Sequence, residues 1–165
     1  MSFKEKFTND EWKKLKNTLF WVFEAVAGAD NKIDKKETKA LQMLVENSNK
    51  FFNDLARELF MELKKEFNEF KAEYDSQHHN YKERLKEINS ILEGKVTDET
   101  LMNFKKILVA FGVYIGHSSG SIFGSKLSEE EIKQVQIIGD ILGLTANDLQ
   151  KPPDLQQIIQ NISGF

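Results

Sequence analysis

The sequence predicts an all-α protein: a single compact bundle of about seven helices, built on two helix–loop–helix repeats and spanning residues 1–165 as one domain. Three observations carry that expectation. Proline occurs only at positions 152 and 153, so the preceding 151 residues lack the strongest helix breaker. Apolar residues recur at spacings of three and four, not two, almost throughout. Charged residues make up 30% of the chain, above the usual share of about 25%, as solvated helices require.

The elements follow in order. Thr8 with Glu11 is a capping-box start, and the seam Trp12, Leu15, Leu19, Val22, Val26 continues to Gly28, predicting a helix over 10–28. A second helix opens at Asp34, with Glu37 three residues on, and buries Leu41, Leu44 and Val45. From Phe51 to Leu92 one apolar phase persists across the weak helix formers Asp75 to Asn80, which predicts two helices broken or kinked there. Gly94 ends that segment. Thr97 caps a helix with the seam Leu101, Phe104, Leu108, Phe111, Ile115. A loop over 116–126 follows, then Ser128 with Glu131 opens a helix from Glu129 to Leu142, with Gly143 at its C-cap. Thr145 with Asp148 starts a short helical turn, and Pro152-Pro153-Asp154 sets up a last helix carrying Leu155, Ile158, Ile159 and Ile162.

Composition removes several function classes. Cysteine is zero, which excludes disulfide scaffolds, thiolate metal sites and cysteine nucleophiles. With 23 basic and 26 acidic residues there is no basic surplus for nucleic acid. The longest uncharged apolar stretch, 107–115, is too short for a bilayer, which needs about 20 residues, so no direct membrane insertion is expected. Early lysines, an apolar run from Leu19 to Phe23 and Ala27-Gly28-Ala29 resemble a signal peptide. Glu5, Asp10, Glu11 and Glu24 interrupt that pattern, and the expected location is cytoplasmic.

The chain also matches itself. Lys32-Ile33-Asp34-Lys35-Lys36-Glu37 aligns with Lys126-Leu127-Ser128-Glu129-Glu130-Glu131, each following a long apolar helix. Two helix–loop–helix units are expected, with the charged middle helices inserted between them.

The loop from Gly28 to Glu37 is the richest in chemistry. Its tail resembles the end of an EF-hand loop, but the first and third ligand positions would fall on Val26 and Gly28, which offer no side-chain oxygen. Asp30, Asp34 and Glu37 could instead converge, with backbone carbonyls, on one hard divalent cation such as calcium or magnesium. The other reading is capping alone: Asp34 as N-cap with Glu37 completing its box, which leaves Asp30 without a task. Both readings stay open.

The stretch Ala27-Gly28-Ala29-Asp30-Asn31-Lys32-Ile33-Asp34-Lys35-Lys36-Glu37-Thr38-Lys39-Ala40-Leu41, after a long apolar helix, resembles the signature of the TerB-like family of tellurite-resistance proteins. Asp30 matches the family aspartate, Asn31 replaces its usual glycine, and Glu37 matches its helix glutamate. In the second copy Gly116-His117-Ser118-Ser119-Gly120 stands where the aspartate would be, and only Glu131 is kept. The resemblance implies an all-helical bundle with an acidic surface. It further implies a metal-linked, non-enzymatic role in bacterial stress or tellurite response, beside other proteins that include membrane proteins. A related domain precedes J-domains in co-chaperones, but this chain has no His-Pro-Asp motif. The alternative function is a metal-free protein-interaction adaptor or co-chaperone-type domain. A third, a carboxylate-metal hydrolase, has no supporting motif.

Other patterns read as structure. Gly112, Gly116, Gly120 and Gly124 lack phosphate-loop spacing and suggest a helix-packing face followed by a glycine–serine loop. His78, His79 and His117 read as surface residues, and most of the 13 phenylalanines as core. The Glu/Lys run from Glu58 to Glu73 reads as a solvated helix face with i,i+4 pairs.

Overall fold

Thr8 and Glu11 form the expected capping box: the Thr8 amide donates to Glu11 Oε2 at 2.9 Å, and the Glu11 amide donates to Thr8 Oγ1 at 3.2 Å. Helix α1 (Asn9–Ala27) follows. In the computed structural model the described residues are 1–27, 35–51, 53–77, 79–118 and 129–150. Among them are seven further helices: α2 (Lys35–Glu46), α3 (Asp54–Lys65), α4 (Phe67–Asp75), α5 (Tyr81–Leu92), α6 (Asp98–Ser118), α7 (Glu129–Ile141) and α8 (Ala146–Gln150). Short 3-10 turns occupy Phe3–Lys6 and Ser48–Lys50, and the described residues contain no strand.

The all-α expectation holds. The segment 51–75, read from sequence as one helix, is two. Glu66, at φ −116° and ψ 13°, breaks it, and its amide still reaches the Leu63 carbonyl at 3.0 Å. The break at 76–80 is present, with Asn80 accepting from the Glu83 amide at 3.4 Å to start α5. Helix α6 runs through Gly116 to Ser118, so the loop expected over 116–126 does not begin at 116, the apolar seam carrying the helix on past Ile115. The rest of that loop, the Gly28 helix end, the Ser128 cap and the last helix carrying Leu155 to Ile162 lie outside the described residues.

Helices α1 and α6 form the centre. Both are apolar on most of their circumference, so both must be buried from several sides. They pack on each other, and each unit's second helix also crosses to the other unit: α2 lies on α6, and α7 on α1. Gly112 permits this approach. A Cβ there would meet Val26 Cγ2 at 3.3 Å, with Val22 and Ile138 at 3.6 Å. An aromatic group of Phe51, Phe60, Phe104 and Phe111 joins α3 to α6, with ring centroids 5.1–6.5 Å apart.

The end of α7 shows how sequence sets a boundary. Gly143 takes φ +71°, its amide donates to Asp140 at 3.0 Å, and the Leu144 amide donates to Gly139 at 2.8 Å. That is a Schellman stop, which needs a residue tolerant of the left-handed region. Thr145 and Asp148 then exchange amide bonds of 2.8 and 3.2 Å to start α8.

Candidate functional site

Of the three expected cation ligands, Glu37 is described and Asp30 and Asp34 lie outside the described residues. Glu37 sits in the first turn of α2 and is only 3% exposed. Its helix starts at Lys35, so Glu37 occupies the third helical position, where a capping box places its glutamate. The structure thus puts one carboxylate in a fixed, sheltered place at the exit of the acidic loop. Among the described residues no three His, Asp or Glu side chains converge in metal-holding geometry.

A second constellation lies along α1. One stripe of α1 at helical spacing (Asp10, Lys13, Lys14, Asn17, Trp21) forms a wall of a cavity of about 240 Å³. Helix α4 supplies Phe70, Glu73 and Tyr74 to it, and Arg84 of α5 stands at its rim. Lys13 bridges the two walls through Glu73 at 2.6 Å. Lys14 reaches Asp10 at 3.3 Å and Glu87 at 3.6 Å, and Arg84 holds the same Glu87 at 3.2 Å.

Tyr74 is the hinge of this region. Its ring lies between Phe20, 5.1 Å away, and His79, 4.0 Å away at 9°, and Phe67 extends the stack behind Phe20. Its hydroxyl donates to Glu24. Burial, then the adjoining Glu24 carboxylate, push the phenol far above its usual value, so Tyr74 remains a donor at any physiological pH. His79 Nε2 lies 3.1 Å from the Tyr74 carbonyl, so that nitrogen carries the proton and the bond fixes the tautomer. His79 is therefore half-buried and stacked, not the freely solvated residue read from sequence. His78 lies outside the described residues, as does the side chain of His117.

A third polar group ties the first residues to α3. Glu58 accepts from Ser2 Oγ and from the amides of Phe3 and Lys4. Glu62 accepts from Lys4 at 2.9 Å, Trp12 Nε1 at 3.1 Å and Lys16 at 3.3 Å. Lys16, buried, also donates to Glu66 at 2.9 Å and lies 4.4 Å above the Phe70 ring. Burial pushes the Glu58 and Glu62 carboxyls up, but the donors around each outweigh it and leave both below the usual glutamate value. These three carboxylates therefore face α1 and the first residues, and the i,i+4 pair nearest the run, Lys71–Asp75 at 2.6 Å, extends beyond its end at Glu73.

The cavity was missed at sequence level because its α1 lysines belong to a stretch that looks like a leader. The signal that locates it is the polar stripe ending in Trp21, facing Phe70, Glu73, Tyr74 and Gln77 at the same helical spacing. No described helix is long and apolar enough to cross a membrane. Comparison with family models, with curated proteins and with solved structures returns no match.

Proposed function

We propose that this chain is a non-enzymatic bacterial stress-response module of the TerB-like kind, whose acidic interhelical loop takes a divalent cation through Asp30, Asp34 and Glu37. The burial of Glu37 carries the reading. A carboxylate that is 3% exposed at a helix start is held in place before any cation arrives, and only the loop ligands need to close on it. The crossed packing of α2 on α6 and α7 on α1 supports the duplicated layout that the resemblance implies. Cation binding would neutralise converging carboxylates, stiffen the loop and change the surface shown to a protein partner. A net charge of −3 favours a protein, including one held at a membrane, over nucleic acid.

Calorimetric titration with calcium, magnesium, manganese and zinc tests this on the wild type and on Asp30→Ala. Asp30 is not needed for capping, so Asp30→Ala should abolish the binding heat while leaving the unfolding midpoint unchanged. No heat from any of the four cations at about 1 mM would refute the cation site and leave a capped adaptor loop.

A further inference from the structure

Glu24 stands in the last described turn of α1, where helix carbonyls concentrate negative charge and a cation is the favoured neighbour. That turn has no lysine or arginine. Glu24 is half-buried, and its bond comes from the neutral Tyr74 hydroxyl; among the described residues no cation pairs with it. Its charge is felt next door: after burial, the Glu24 carboxylate raises the phenols of both Tyr74 and Tyr81. Carboxylates withdrawn from water are ordinarily matched by an opposite charge. Glu62 shows the usual solution, with Lys4 at 2.9 Å and Lys16 at 3.3 Å.

Glu24 lines a cleft of about 220 Å³ between α1, α2 and α4, which shares Tyr74, Gln77 and His79 with the first cavity. The other charged groups of this lining are Lys71 and Asp75, which hold each other at 2.6 Å, so Glu24 is the one charge left over. Tyr74 bonds Glu24 Oε2, and Oε1 remains to accept. Phe20, Phe23 and Leu41 make the rest of the lining mainly apolar. The ring faces of Phe20 and Tyr74 are taken up by Phe67, by each other and by His79, so the wall offers apolar contact, not a cation–π face. A guest must therefore bring one positive charge with an N–H to donate, on a short aliphatic body. The volume lies below the range of drug-sized sites, which starts at about 300 Å³, and suits a small molecule.

We propose that this cleft binds a small free alkylammonium, its N–H donating to Glu24 Oε1 and its alkyl chain lying along the apolar wall. The site does not use Asp30, Asp34 or Glu37 and does not rest on divalent-cation binding.

Two glutamates provide the test. In side-chain carboxyl ¹³C spectra of the full chain at pH 7, with a chelator and at constant ionic strength, n-butylammonium chloride should shift the Glu24 resonance saturably. Glu62, already held by Lys4, Trp12 and Lys16, should stay in place and report an intact fold. Tetramethylammonium, which has the charge but no N–H, and n-butanol, which has the chain but no charge, should not saturate the shift. Glu24→Gln keeps an acceptor for Tyr74 and removes the charge. Followed through the backbone amides of Phe23 and Asp75, it should weaken n-butylammonium binding about tenfold, the loss of one charge-assisted bond. The proposal is overturned if Glu24 does not move at about 50 mM n-butylammonium. It is equally overturned if tetramethylammonium or n-butanol titrates as well as n-butylammonium, or if Glu24→Gln binds as tightly as wild type. Tighter binding of Nα-acetyl-lysine amide than of n-butylammonium would overturn it in favour of a peptide lysine.

Discussion

Lys16 shows how much one side chain can do in this protein. It sits in the interior of α1, buried, between Glu62, Glu66 and the face of Phe70. Lys16→Met keeps the stem's packing but leaves two carboxylates short of a donor. Because Glu66 is 42% exposed, solvent screens part of the loss, and the cost should be about 1–2 kcal/mol. Urea unfolding measures it, and an unchanged midpoint would show that the pair contributes nothing. The periodicity of α1 did not mark Lys16 as buried. A lysine beside an apolar seam reads as solvated, and only the approach of α3 and α4 supplies its partners. The same holds for Trp21, whose indole looks like one more core ring until the lack of an acceptor among the described residues is seen.

At the scale of elements, caps and seams were the legible features. Thr8–Glu11, Thr145–Asp148 and Gly143 behave as their spacing requires, since each bond forms within four or five residues. The break at Glu66 was illegible because the apolar phase continues through it: Leu63, Phe67 and Phe70 follow one another at helical spacing without interruption. What bends the chain is Phe67, Phe70 and Tyr74 turning onto α1, which is a tertiary demand. Of the acidic site, the place of Glu37 was legible and its burial was not. Gly112 gives this scale its prediction. Val26 Cγ2 stands 3.3 Å from where a Cβ would be, so Gly112→Leu must push α1 from α6 and should cost about 1–3 kcal/mol in chemical denaturation. A leucine variant as stable as wild type would mean that the two helices separate freely.

For the whole molecule, acid is the revealing stress. Glu11 is held below its usual value, first by the Lys95 bond, and Glu58 and Glu62 are held there by their donors. Folded values below the unfolded value of about 4.3 mean that the native state binds fewer protons. The stabilisation is complete above that value and is lost as pH falls through the folded ones. Thermal unfolding followed from pH 7 to pH 3 should show the midpoint dropping below about pH 4.3. Glu62→Gln should start lower at pH 7 and lose less on acidification; parallel curves would contradict the assignment. The crossed placement of α2 and α7 has a further consequence, for synthesis. Helix α1 meets its principal partner only when α6 exists, so the face of α1 that α6 covers leaves the ribosome well before its cover, although α3, α4 and α5 reach the other faces earlier. At about 5–20 residues per second that interval lasts several seconds, long enough for a nascent-chain chaperone to bind first.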